Sequence, residues 1–190
     1  MDFIRVMAQR MFSGKPEELK YTVINTFEDY EERRYAETKF ASIEIKGAAS
    51  YKDASVEGWK KLFAYLASGN DKKVNINMTV PVCIDIFPEI EDLTEMKMDF
   101  VVSFLLPEKH HTNTPQPKDD AIKIRSTPER VVYVRTFGGF AYDKEIKSEI
   151  QKLKESLGDK TFAKDVYYFC AYDSPMKLTG RRNEVWLVKE

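Results

Sequence analysis

"VNINMTVPVCIDIF", residues 74–87, puts Val74, Ile76, Met78, Val80, Val82, Ile84 and Ile86 at every second position. Strand side chains alternate between faces, so this spacing predicts one strand with a continuous apolar face. Pro81 has no N–H to give to a ladder and therefore marks an edge or a bulge. "MKMDFVVSFLL" (96–106) repeats the alternation with Met96, Met98, Phe100, Val102, Phe104 and Leu106. "KFASIEIKG" (39–47), "AIKIRS" (121–126), "RVVYVRTF" (130–137), "DVYYFCAYD" (165–173) and "NEVWLVKE" (183–190) also read as strands.

Two segments carry helical spacing instead. In "DASVEGWKKLFAYLASG" (53–69), Val56, Trp59, Phe63 and Leu66 form an apolar stripe with Leu62 beside it, and Gly69 is the expected stop. In "DKEIKSEIQKLKESLG" (143–158), Ile146, Ile150, Leu153 and Leu157 form the stripe, Asp143 is the expected N-cap and Gly158 the end. The N-terminal "MDFIRVMAQRMF" fits a short amphipathic helix with Phe3, Ile4, Met7 and Met11 on one side. It has no apolar core of a secretory signal, and no run in the chain reaches the ~20 apolar residues that span a bilayer.

The order of these elements repeats. "KFASIEI", the first helix, "TVPVCIDI" and "MDFVVSF" make one β-α-β-β unit; "RVVYVRTF", the second helix, "VYYFCAYD" and "EVWLVKE" make another. Cys83 and Cys170 fall on corresponding strands. The expected architecture is α+β, a distorted antiparallel β-barrel from two β-α-β-β repeats (about 21–106 and 121–190), flanked by two helices. Residues 1–20 form an arm and 107–120 the joint between the units.

With 190 residues, 43% hydrophobic and 13% aromatic, the chain has the apolar material for one core. Lys+Arg 30 against Asp+Glu 31 gives a net charge of −1, which removes any global basic field for nucleic acid. Cys83 and Cys170 sit in apolar runs without metal-site spacing and read as buried reduced thiols of a cytoplasmic protein. No HExxH, GxSxG, P-loop or GxGxxG occurs, and no catalytic set is singled out. "FGGF" (137–140) reads as a flexible turn, with a backbone anion site as the alternative. Two places suit binding better. One is the Trp59–Phe63 side of the first helix. The other is "SPMKLTGRRNE" (174–184), where Lys177, Arg181 and Arg182 could pair with ligand carboxylates. An aromatic groove beside cations suits an amphipathic acid.

"YEERRYAETKFASIEI" (30–45), "NMTVPVCIDIFP" (77–88), "VYYFCAYDSPMK" (166–177) and "GRRNEVWLVKE" (180–190) resemble the SOUL/haem-binding protein family, over about Tyr21 to Glu190. The resemblance implies a single domain with the barrel described above. It further implies a non-enzymatic cytoplasmic binder of haem or another porphyrin, with its groove between the first helix and the loop joining the last two strands. Carried over by position, Trp59 falls at a groove methionine, while Tyr172 and Lys177 match a groove tyrosine and lysine. Val56 and Ala64 stand where basic residues occur in the family, which leaves Lys177 with Lys60, Arg181 or Arg182 to meet propionates. Arg34 stands where some members have a histidine proposed to ligate iron, and arginine stays protonated. The expected cofactor-binding set is Val56, Trp59, Lys60, Phe63, Tyr172, Met176, Lys177 and Arg181, with no metal ligand. His110 and His111, in "KHHTNTPQP" (109–117), are the only histidines and are expected in a solvated loop, pointing opposite ways. The expected partner is a small tetrapyrrole bound by a monomer, with no nucleic acid and no membrane span. A protein-interaction or signalling module with a vestigial groove is the competing reading, and a protein partner belongs to it.

Overall fold

Cys83 and Cys170 face each other across the join of two similarly built halves. The computed structural model describes residues 15–89, 92–174 and 176–190. The helix expected at the N-terminus lies outside these. The first half runs β4 (Thr38–Ile45), α1 (Tyr51–Leu66), β6 (Val82–Glu89) and β7 (Asp92–Leu105). The second runs β9 (Arg130–Phe137), α2 (Asp143–Leu157), β10 (Tyr167–Ala171) and β11 (Asn183–Val188). These are the two β-α-β-β units expected from the sequence. Each is preceded by one more strand, β3 (Glu31–Tyr35) and β8 (Ile122–Thr127). β2 (Thr22–Thr26) extends β3 as a hairpin, while the two-residue β1 (Glu17–Glu18) and β5 (Thr79–Val80) pair separately in parallel.

Among the described residues the main sheet has nine antiparallel strands in the order β2-β3-β9-β11-β10-β6-β7-β4-β8. The leading strand of each half pairs with the other half: β3 with β9, β8 with β4. Only Ala36 and Glu37 link β3 to β4, a reach of about 11 Å. In sheet order those strands are six spacings apart, about 29 Å if flat. The β8–β9 link, Pro128 and Glu129, makes the same demand. Two short linkers thus force the sheet to curl into an open, distorted barrel.

Both helices pack on one face. Ala54, Leu62, Tyr65 and Leu66 of α1, and Ile146, Ile150, Leu153 and Leu157 of α2, join Ile43, Ile84, Phe104 and Leu187 in one core. The opposite face carries Tyr35, Phe40, Cys83, Cys170 and Trp186 in a second core. Glu184, with no accessible surface, lies among these groups. Its Oε1 accepts from Arg33 (3.0 Å) and Arg182 (2.8 and 3.1 Å), and its Oε2 from the Tyr172 hydroxyl (2.9 Å) and Trp186 Nε1 (2.8 Å). A buried carboxylate is tolerated only when so paired.

Several local expectations are corrected. Residues 74–78 do not continue the strand. Asn70, fully buried, donates to the carbonyls of Tyr65 and Val74 and accepts from the Val74 N–H, so side-chain bonds replace a ladder. Pro81 separates β5 from β6, and across it the faces switch: Val80 belongs with Cys83, Val82 with the helix-side core. Met98 is 48% exposed although Phe100, Val102 and Phe104 are buried as expected. α1 starts two residues before the expected Asp53, capped by Ser50, whose hydroxyl accepts from the Asp53 N–H. Its buried face runs through Ala54, Gly58, Leu62, Phe63, Tyr65 and Leu66, so Leu62, Phe63 and Leu66 are buried as expected, Trp59 is partly buried, and Val56 is left 44% exposed. The helix ends at Leu66, and Gly69 serves a close approach: a Cβ there would lie 2.4 Å from the Ala64 carbonyl oxygen. Asp143 is the first residue of α2 rather than its cap. Tyr142 takes that place, its N–H donating to Glu145 Oε2 at 3.1 Å. β1 and the buried Leu19, from the expected arm, pack on the body.

Gly58 seats α1 on β7, since a Cβ there would lie 2.7 Å from Val102 Cβ. Gly58→Ala should cost about 1–3 kcal/mol through overpacking, read as a lower urea midpoint with an unchanged slope.

Candidate ligand-binding cavity

A cavity of about 310 Å³ lies between α1 and the seam of the two halves. Its floor is two registered pairs across that seam, Val82 with Ala171 and Ile84 with Phe169. One wall is the side of α1 that carries Tyr51, Lys52, Val56 and Trp59. Trp59 stacks on the buried Phe63 at 5.1 Å between centroids and meets Phe104 edge-on at 6.3 Å. The other wall is Phe140, Ala141 and Tyr142, just before α2, with Arg181 and Asp173 from the loop after β10.

Two cations border this apolar space. Lys52 Nζ lies 5.7 Å from the centre of the Tyr142 ring. Arg181 lies over Phe140 at 4.9 Å, and its Nη1 donates to the carbonyls of Ser174 and Lys177, both at 2.8 Å. Arg181 Nε is buried and has no partner among the described residues. Two of the lining hydroxyls are committed. Tyr51 donates to the Ala141 carbonyl at 2.9 Å, and burial, with Asp143 nearby, pushes its pKa up to about 12. Tyr172 lends the cavity its ring but spends its hydroxyl on Glu184; burial and that carboxylate push its phenol well up.

Of the residues singled out from sequence, Val56, Trp59, Tyr172 and Arg181 meet in this lining. Phe63 lies behind Trp59, 4% exposed. Lys60, Met176 and Lys177 lie outside the lining. Lys177 is held by Asp173 at 2.6 Å, and Met176 is 50% exposed. Arg182 is taken by Glu184 and Glu18. Ala64 is exposed away from the cavity, and Arg34 points to solvent from β3. Sequence reading missed Lys52, the seam floor and the apolar wall at Phe140, Ala141 and Tyr142, having read "FGGF" as a flexible turn or backbone anion site. The floor had a signal, because Val82 and Ile84 alternate with Cys83 as Phe169 and Ala171 do with Cys170.

The histidines stand elsewhere. Their loop is tethered: Lys39 Nζ donates to the His111 carbonyl, Thr114 Oγ1 to that of His110, and the Tyr65 hydroxyl to that of Pro115. His111 Nε2 donates to the Leu106 carbonyl at 2.8 Å. Burial, with Lys109 and Lys72 nearby, lowers the His110 pKa. Neither lines the cavity, and no group of three or more metal-ligating side chains occurs among the described residues.

Residues 16–188 match the sequence profile of a family described as SOUL heme-binding protein. The chain belongs to the SOUL haem-binding family. Curated SOUL relatives include Heme-binding protein 1 of Sus scrofa, 38% identical over 84% of this chain and 84% of that one. The Xenopus laevis Heme-binding protein 1 is 35% identical over 84% and 83%, and the human Heme-binding protein 2 is 31% identical over 85% and 78%. Among solved structures, the EcmrR C-terminal domain shares the SOUL chain's fold with a TM-score of 0.62, covering 85% of this chain and 98% of that one. A hydrolase from Listeria innocua does so with 0.56, covering 96% of each. At 10% and 11% identity these two are likenesses of fold alone.

Asp173 anchors the loop that carries Arg181, accepting from Lys177 Nζ and from the Arg182 N–H, both at 2.6 Å. Burial would raise its pKa, but these partners outweigh burial and hold it below its ordinary value. The anchor is therefore complete above the unfolded-state pKa of about 3.9 and is lost as pH falls through the lower folded value. Amide exchange at Arg182 should keep its protection from pH 8 down through the ordinary Asp range near about 3.9 and lose it only at lower pH. Asp173→Ala should lose it at every pH.

Proposed function

We propose that this chain binds haem or another porphyrin reversibly, without transforming it, in the cavity between α1 and the loop joining β10 and β11, as a cytoplasmic carrier or buffer. The observation that carries this reading is Arg181, a cation in the wall of an apolar-floored cavity whose buried Nε has no partner among the described residues. A buried N–H without a partner is costly, and a ligand carboxylate would satisfy it with a charge-assisted bond. Lys52, across the cavity, suits a second carboxylate. At about 310 Å³ the space is at the small end of ligand cavities, so one edge of a porphyrin would stay in solvent, with its acids at the rim.

The described lining has no imidazole, thiol or thioether, and Tyr51 keeps its proton. Binding then rests on packing against Trp59, Val82 and Phe169 and on pairing with Arg181 and Lys52. Haem iron, when bound, would offer a redox-active centre and open ligand positions. Family membership, with relatives named for haem binding, supports a binder rather than an enzyme.

Hemin and iron-free protoporphyrin should both saturate the protein, with affinities within a few-fold of each other, followed by absorbance and tryptophan quenching. Trp59→Phe should reduce the quenching, because Trp59 lines the cavity while Trp186 is buried on the other face of the sheet. Arg181→Ala and Lys52→Ala should each weaken binding roughly ten-fold, about 1.4 kcal/mol. The His110→Ala/His111→Ala double variant should bind as the parent does. Failure of both porphyrins to saturate would end this reading, and loss of hemin binding in the histidine variant alone would move the site to the loop.

A further inference from the structure

Cys83 on β6 and Cys170 on β10 are a directly opposed pair in the ladder that joins the two halves. Both are buried and unbonded, and their sulfurs lie 3.1 Å apart. Opposed residues in an antiparallel pair have Cα atoms about 4.5 or 5.5 Å apart, depending on the hydrogen-bond pattern. Both values fall within the roughly 4.4–6.8 Å that a disulfide spans. The backbone thus meets the requirement, and the sulfurs need to approach by only about 1 Å to bond. The neighbouring pairs, Val82 with Ala171 and Ile84 with Phe169, point the other way and floor the cavity.

We propose that Cys83 and Cys170 form a reversible disulfide, with a hydroperoxide as oxidant, that staples the two halves together behind the cavity floor. The Cys83 sulfur, having given up its proton, attacks a peroxide oxygen. The O–O bond breaks, and water leaves from hydrogen peroxide once a proton is returned. Cys170 then attacks the resulting sulfenic sulfur, the S–O bond breaks and a second water leaves. Two thiols lose two electrons and two protons, and one peroxide becomes two waters. A small thiol reverses the step by exchange. Burial, then the hydrogen bond to Cys83, pushes the Cys170 thiol well up, so formation is faster at higher pH. The site is independent of porphyrin binding.

The test uses the purified full chain, incubated with hydrogen peroxide at pH 8, then unfolded, alkylated with N-ethylmaleimide and weighed intact. The expected product carries no alkyl group, is lighter than the reduced chain by two hydrogens, stays monomeric, and regains both thiols with dithiothreitol. Its urea midpoint rises above that of the reduced chain. Cys170→Ser should give no internal bond and leave Cys83 as a sulfur oxyacid or an alkylated thiol. The same incubation just below the urea transition removes any limit of access. Two alkylated thiols in both incubations, oxygen addition without a bond, a disulfide between chains, or an unchanged midpoint would each overturn the proposal.

Discussion

Glu184 is an acidic side chain with no accessible surface, and the fold is arranged to answer it. Its donors come from three parts of the chain: Arg33 on β3, Trp186 on β11, and Tyr172 with Arg182 at the ends of the loop between β10 and β11. The carboxylate therefore joins the leading strand of the first half to the last hairpin of the second. Arg33 is itself held by Glu31 and stacks on Tyr21, while Arg182 reaches Glu18. Replacing one donor would leave a buried charge short of partners, which is more damaging than never having had the pair. Tyr172 shows how this reaches the cavity: its hydroxyl belongs to Glu184 and its ring to the lining.

The cavity is a by-product of how the halves meet. The seam strands β6 and β10 turn Val82, Ile84, Phe169 and Ala171 outward, and their cysteines inward. α1 is held too close to β7 at Gly58 to lie over the seam symmetrically, so Val56 and Trp59 overhang it. The loop from β10 closes the far side because Asp173 and Glu184 both hold it. Position and shape come from packing between halves, while the chemistry at the rim comes from Lys52 and Arg181.

The architecture was legible because alternation and helical spacing are strong where one face is buried. The two units, both helices and the matching cysteines all follow from that. β2 was not legible: its five residues are all exposed, so no face is marked. β3, "EERRY", reads as a surface charge run, yet Glu32 and Arg33 are buried because distant partners satisfy them. The same blindness governed the site. Val56, Trp59, Tyr172 and Arg181 came from patterns and family positions and do line the cavity. Lys177 could not be told apart from Arg181 by sequence, since only the fold gives Lys177 to Asp173. Lys52 lies just before the segment read as the first helix, and only the earlier start of α1 and its place beside the seam bring it to the rim.

The exchange of leading strands has a consequence for how such a chain is put together. β3 lies against β9 and β8 against β4, so each half lends its first strand to the other. Severed in the 107–120 loop, either half would keep its helix and three strands and lose the strand that covers its own edge. A chain of half this length could satisfy the same pairings only as two copies clasped by their first strands. The single polypeptide is, in this sense, a strand-swapped dimer made permanent by one covalent joint.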